Sequence, residues 1–251
     1  RAGTPGGARA ADAVERRLRR TGAAPAFADG YRQPVVLPQG GAGTNLVARV
    51  EGTVFPQQAI LVTAHFDHLG VASGRVYNGA DDNASGVATL AALADHLRRH
   101  PPQHTVYLAA LDAEEQGLVG AQALASDPPV PLGAILAVVN LDMVSRGELW
   151  AAGAAHYPHL GRLLRDAGLP LRFGHDTGAG ADNWTSASDH AAFHQRGVPF
   201  VYFGVEDHAD YHQTTDDAAR IDPATFARAA DTIVRAVGVL DASHAALVEG
   251  R

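Results

Sequence analysis

The chain has 251 residues, enough to bury a core as one α/β domain or two small ones. Its formal net charge of -7 argues against nucleic acid and anionic membranes, so neither is expected as a partner. It has no cysteine, which excludes disulfides and thiolate metal sites.

Residues 8–21 (ARAADAVERRLRRT) read as an amphipathic helix, with Gly22 available as its stop. Coil rich in Pro and Gly is expected to follow to about Gly43. Strands are expected at residues 45–50 and 59–64, then a helix at 85–99 behind the polar start Asn83 and Ser85. Strands at 105–111 and 134–141 alternate with a helix near 117–125. A helix at 157–167, a short strand at 198–203 and a helix at 223–240 complete the pattern. The longest apolar runs, 59–64 and 133–139, are far short of a membrane span. Near-continuous apolar strands alternating with helices indicate a three-layer α/β/α sandwich around a central mixed, mostly parallel sheet. With no repeat and no linker in view, residues 1–251 are expected to form a single domain.

In such sheets functional groups gather beyond the carboxyl ends of the strands. The strand AILVTA runs directly into His65-Phe66-Asp67-His68-Leu69-Gly70, and residues 105–111 run into Asp112-Ala113-Glu114-Glu115. Residues 134–139 lead to Asn140-Leu141-Asp142, and 198–203 feed a loop ending at Tyr211-His212. Asp81-Asp82 lie in GADDNASG, just before a helix. Each residue alone has a plain structural explanation: a capping acid, a solvated turn, a surface imidazole. Asp142 fits such an explanation least, because an acid directly after a strongly apolar run sits close to the core and needs a partner or a metal. Imidazoles and carboxylates delivered together to one edge form a donor set that suits zinc.

The series HFDHLG, GADDNASG, EEQGLVG, NLDM and YHQTTD, in that order, resembles the motifs of the co-catalytic dizinc aminopeptidases. That family includes bacterial leucyl-type aminopeptidases and has glutamate carboxypeptidases and glutaminyl cyclases as relatives. The opening RAGTPGGARAADAVERRLRRTG resembles the start of the catalytic domain, so the likeness covers nearly the whole chain. It implies two Zn2+ per chain, one held by His65 and Asp142, the other by Glu115 and His212, with Asp82 bridging. It also implies Glu114 as general base, Tyr211 as a donor to the tetrahedral oxyanion, and a non-proline cis peptide at Asp82–Asn83. Asp67, two residues after His65 on an extended chain, points the same way and fits an acceptor that fixes the His65 tautomer.

The implied reaction is aminopeptidase hydrolysis of peptides with a free N-terminus. No Arg/Lys cluster stands beside the motifs to hold a C-terminal carboxylate, apart from Arg146. A carboxypeptidase-type or dipeptidase member and a non-catalytic binding descendant of the fold are the alternatives. Glutaminyl cyclase relatives work with one zinc and lack the first-strand His, so His65 argues for hydrolysis. Ser188-Asp189-His190 is expected to be scaffold near the site, since sequence neighbours cannot form a nucleophilic triad. His68, His175, His194 and His208 are expected at the surface, residues 178–180 in a loop, and Phe173, Trp184, Phe193 and Phe203 mainly in the core. A secreted or periplasmic location is expected from the absence of an initiator Met at Arg1 and from the family's frequent export.

Overall fold

The structure is a computed structural model that describes residues 1–178 and 182–250. The strands are β1 (Ala24–Pro25), β2 (Arg32–Val36), β3 (Ala42–Val50), β4 (Phe55–His65), β5 (Gly70–Ala72) and β6 (Arg75–Tyr77). They continue with β7 (His104–Leu111), β8 (Ile135–Leu141), β9 (Trp150–Ala152), β10 (Arg172–Phe173) and β11 (Phe200–Gly204). The helices are α1 (Pro5–Thr21), α2 (Gly86–Arg99), α3 (Val119–Ser126), α4 (Pro158–Asp166), α5 (His190–His194), α6 (Pro223–Asp241) and α7 (His244–Glu249).

Nine strands form one mixed sheet in the order β1-β3-β7-β4-β8-β11-β9-β10, with β2 also paired to β3. The middle of this sheet, β7-β4-β8-β11, is parallel, and its flanking pairs β3·β7 and β11·β9 are antiparallel. Period-two alternation divides β4 between two cores. Ile60, Val62 and Ala64 pack with residues of α1, α2, α4, α6 and α7, while Ala59 and Leu61 pack with residues of α3 and α5. The expected three-layer sandwich is therefore what forms. No described helix is long and apolar enough to cross a membrane.

The structure corrects the reading of residues 23–43 as coil. β2 pairs antiparallel with β3 from Arg32↔Leu46 to Val36↔Ala42, burying Gln33 and Val35 and exposing the residues between them. Pro34 conceals this strand in the sequence, yet an outermost strand tolerates a residue without an N–H. The hairpin β5–β6 and the short α5 and α7 were also not anticipated. Helix α1 closes as expected, at Gly22 with φ 77°, a C-cap conformation that glycine adopts without a side-chain penalty.

Helix α5 opens with His190, fully buried, whose Nε2 donates to the Trp184 carbonyl at 2.9 Å. Burial pushes this imidazole down to about 3. A ring held neutral in the fold but free to charge in the unfolded chain contributes stability above pH ~6.5, and that contribution is lost as pH falls toward 3. Urea unfolding followed from pH 7 to 3 should therefore show a His190 component of about 1.4 kcal/mol per pH unit. The His190→Gln variant should lack that slope; an unchanged acid profile would remove His190 as its source.

Candidate metal centre

Because β7, β4, β8 and β11 run parallel, their carboxyl ends share one edge of the sheet. β4 ends on His65 itself, and β8 ends one residue before Asp142. After β7 a short 3₁₀ turn, Glu114–Gln116, carries Glu114 and Glu115. The loop beyond β11 returns Tyr211 and His212 to the same edge. Asp82 lies in an irregular π-type turn, Ala80–Ser85, ahead of α2, with the expected cis peptide at Asp82–Asn83.

The two oxygens of Asp82 face opposite partners. Oδ1 lies 3.3 Å from His65 Nε2, which is itself 3.2 Å from Asp142 Oδ1. Oδ2 lies 3.1 Å from His212 Nε2, which is 3.6 Å from Glu115 Oε2. All five expected ligands are thus brought together, with Asp82 at the centre. His65, Asp82 and Asp142 form one compact donor group, their ligand atoms all within 4.8 Å of one another. With His65 Nδ1 donating to the Asp67 backbone carbonyl at 3.1 Å, the lone pair of Nε2 faces the two carboxylates. Glu114, Met143, Trp184, Ala187, Tyr202 and Tyr211 complete a cleft of about 300 Å³ around these ligands.

Two glycines of GADDNASG hold the turn close to its neighbours. Gly79 sits at φ 64°, and a Cβ there would lie 2.2 Å from the Asp82 carbonyl and 2.6 Å from His68 Cγ. A Cβ at Gly86 would lie 2.3 Å from Asn83 Oδ1. Three non-glycine residues beside or at the ligands, Ala113, Met143 and His212, occupy the left-handed region at φ 59°, 55° and 54°. Such conformations cost about 1–3 kcal/mol each and persist where the surroundings over-determine them.

Behind the ligands stands a set of supporting residues whose part in the site no local pattern marks. Asp216, fully buried, accepts from the backbone N–H groups of Asp81 and Asp82 at 3.0 and 3.1 Å. Arg146 binds Asp216 at 3.1 Å and also pairs with Asp210. Asp81, also buried, accepts from the Ser145 N–H and hydroxyl at 2.8 and 2.6 Å and faces His208 Nε2 at 3.0 Å. Asn83 donates to the Leu141 carbonyl at 2.8 Å. The loops carrying Asp82 and Asp142 are therefore tied together. The signal in the sequence was the first acid of each Asp-Asp pair, which reads as a surface turn until a buried N–H is found opposite it.

Several expectations change. The His65 ring is steadied by the Asp67 main-chain carbonyl, while the Asp67 carboxylate stands 3.8 Å from it and accepts the Glu114 N–H at 2.9 Å. Asp67 therefore positions Glu114 as well as His65. His68 is buried, its Nδ1 2.7 Å from Glu115 Oε1, and not a surface residue. His208 is half-buried on Asp81, and His194 binds the Tyr157 hydroxyl at 2.7 Å. His175 stacks on Trp184 at 3.8 Å. Trp184 lines the cleft, while Phe193 and Phe203 are core residues. Ser188 accepts from Asn140 at 2.9 Å and Asp189 is buried, a scaffold beside the site. Of residues 178–180, Ala179 and Gly180 lie outside the described residues.

Acid crowding dominates the electrostatics. Burial above all, with Asp142 and Asp189 adding to it, pushes Glu114 up to about 9. Burial also raises Asp142, and raises Asp67 to about 6. For Asp82, burial is outweighed by the imidazoles of His212 and His65, which hold its carboxyl well below the usual range. His65 is displaced the other way: burial opposes its charge, but Asp142 and Glu114 raise it well above the ordinary value. Neither Arg nor Lys stands among the residues lining this cleft. Carboxylates packed at this density, facing imidazole lone pairs, fit divalent cations.

The profile of peptidase family M28 matches residues 45–237. A probable zinc metalloprotease of Pyrenophora tritici-repentis is 35% identical over 136 residues, which is 51% of this chain and 30% of that protein. Among solved structures, an aminopeptidase from Aneurinibacillus sp. superposes with a TM-score of 0.64 at 24% identity, over 78% of this chain and 48% of its own. A glutaminyl cyclase from an Acidobacteriales bacterium gives a TM-score of 0.75 at 20% identity, over 96% and 88%. The chain thus spans less than a third of the curated relative and about half of the aminopeptidase.

Asp216→Asn leaves Arg146 facing a neutral amide in a buried position. The variant should lose stability in urea unfolding of the metal-free protein, by less than the about 3–5 kcal/mol of a fully orphaned buried charge because Arg146 keeps Asp210. It should also bind zinc more weakly, because the N–H groups that fix Asp82 lose their charged acceptor. Full zinc affinity and unchanged stability would show that Asp216 does not hold the turn.

Proposed function

Because the chain belongs to peptidase family M28, we propose that it is a zinc aminopeptidase that uses two ions to release single residues from the free N-terminus of peptides. The observation that carries this reading is Asp82, whose oxygens face His65 and Asp142 on one side and His212 and Glu115 on the other. Zinc bound in such a pair supplies polarisation of the scissile carbonyl and a lowered pKa for the attacking water.

The remaining work falls to side chains. Glu114 takes the proton of the attacking water and passes it to the leaving amine, a general acid–base role. Its backbone N–H bond to Asp67 keeps it beside the cleft, while Glu115, its neighbour, turns toward His212 and His68. Tyr211 stacks on His212 at 3.9 Å, and burial raises its phenol above the ordinary value. It therefore keeps its proton and donates to the oxyanion of the tetrahedral intermediate.

The amino direction rests on charge. An acidic cleft without Arg or Lys in its lining favours a substrate end that is a free ammonium. Arg146, the cation beside the NLDM motif, is committed to Asp210 and Asp216. Trp184, Met143 and Tyr202 offer apolar contact to the first side chain, so an apolar N-terminal residue is preferred. The likeness to a glutaminyl cyclase raises a one-metal transferase as the competing reading. The placement of His65 against Asp142 and Asp82, a complete donor group for a second ion, weighs against it.

Saturated protein should hold two zinc per chain and hydrolyse aminoacyl-anilides, with chelation abolishing turnover. Glu114→Gln should lower kcat by about 10²–10⁴-fold with its zinc retained. A peptide acetylated at its N-terminus should be refractory while its free-amine counterpart is trimmed. Equal cleavage of both peptides would refute the amino direction.

A further inference from the structure

We infer that His175 is a positioning residue that sets the preference for the first substrate side chain, by holding Trp184 flat as one wall of the cleft while Glu206 steers the ring. The inference rests on the aminopeptidase reading above and deepens it. Trp184 reaches the cleft from a loop ahead of α5, not from a strand. Its main chain is held from two directions. The N–H donates to the His175 carbonyl at 2.7 Å, and the carbonyl accepts from His190 Nε2 at 2.9 Å. These bonds fix the backbone but leave the torsions of the indole side chain to be fixed by packing.

The His175 ring supplies that packing. It lies parallel to the indole, with centroids 3.8 Å apart and planes 6° apart. Trp150 meets the same imidazole at 4.5 Å and 71°, so both tryptophans of the chain touch this ring. Tyr202 of β11 abuts Trp184 at 5.4 Å and 66°. The indole is therefore backed by a flat ring and braced by a strand residue, and what remains of it lines the cleft. His175 keeps this place at φ 59°, in the left-handed region that a non-glycine residue occupies only where its surroundings require it.

The ring is aimed by two acceptors. Nδ1 donates to the Asp182 carbonyl at 3.2 Å, and Nε2 stands 3.0 Å from Glu206 Oε1. No directed hydrogen bond forms at Nε2, so its attraction to the carboxylate is one of charge and belongs to the doubly protonated ring. Glu206 lies in the loop after β11 that returns Tyr211 and His212 to the sheet edge. The contact thus joins the loop that carries Trp184 to the loop that carries His212. Because Glu206 is 60% exposed, water screens this pair, and it contributes less than the stack.

Steady-state kinetics of the zinc-loaded protein on leucyl- and alanyl-anilides test the inference. His175→Asn removes the ring and tolerates the left-handed backbone. It should raise KM for the leucyl substrate by about 10-fold, the worth of a small change in apolar contact. Its kcat, and both constants for the alanyl substrate, should stay within about twofold, as loss of uniform binding requires. Glu206→Ala, at an exposed position, should move the leucyl KM the same way by about 2–5-fold. The double variant should be no worse than His175→Asn alone, since Glu206 acts through the ring. An unchanged leucyl KM, a fall in kcat, equal losses on both substrates or multiplied effects in the double variant would each overturn the inference. Should the parent cleave neither anilide, the aminopeptidase reading fails, and acrylamide quenching of tryptophan fluorescence decides the positioning role. Both tryptophans touch His175, so each variant should be quenched more readily than the parent, and unchanged quenching would overturn that role as well.

Discussion

Everything at this sheet edge turns on one carboxylate. Asp82 presents each oxygen to a different imidazole, and only a side chain held from several directions could do so. Its own main chain supplies no regular hydrogen-bond ladder, since Asp82 and Asn83 are non-helical inside the turn. The missing regularity is replaced from outside, by Asp216 on the N–H groups, by Asn83 on the Leu141 carbonyl, and by Ser145 on Asp81. The turn is thereby fastened to the end of β8, and so to the strand end that delivers Asp142.

That arrangement explains why a parallel sheet centre matters. Four strands running the same way place their last residues on one edge, and each end contributes a donor or the loop that carries one. The rigidity comes from the two cores that clamp the sheet, to which β3, β4, β7, β8 and β11 each contribute residues on both faces. The flexibility needed to aim side chains inward is confined to the loops. There Ala113, Met143 and His212 take left-handed backbone conformations that only firm surroundings would retain.

Much of this was legible because strand ends are marked twice, by apolar runs and by the acid or imidazole that follows them. His65, Glu115 and Asp142 stand out for that reason, and Asp82 stands out through the glycines on either side of its motif. What was not legible is the contact that crosses the chain. Asp216 lies 134 residues from the N–H of Asp82 that it accepts, and nothing local distinguishes it from the exposed Asp217 beside it. His68 was hidden in the opposite way. A histidine in a turn reads as surface, and its burial depends on a partner, Glu115, from another strand's loop. In β2 the local signal was misleading, because Pro34 is unfavourable in most strands but harmless in an outermost one.

The charge balance of the cleft closes the argument from composition to chemistry. An overall net charge of -7 is unremarkable for solubility, but here several of the acids converge in a cleft of about 300 Å³ without an arginine or lysine among its walls. Without cations the site must protonate to exist, which is what the raised carboxyl of Glu114 and the raised imidazole of His65 express. In the proposed dinuclear form two divalent ions would change the balance: the three carboxylates of Asp82, Glu115 and Asp142 would neutralise most of their charge and leave a small positive excess. Glu114, next to that excess but bound to Asp67 through its own N–H, would then be free to ionise. The same crowding that destabilises the empty cleft would therefore leave one carboxylate uncommitted beside the proposed ions, and that is the group the proposed hydrolysis needs.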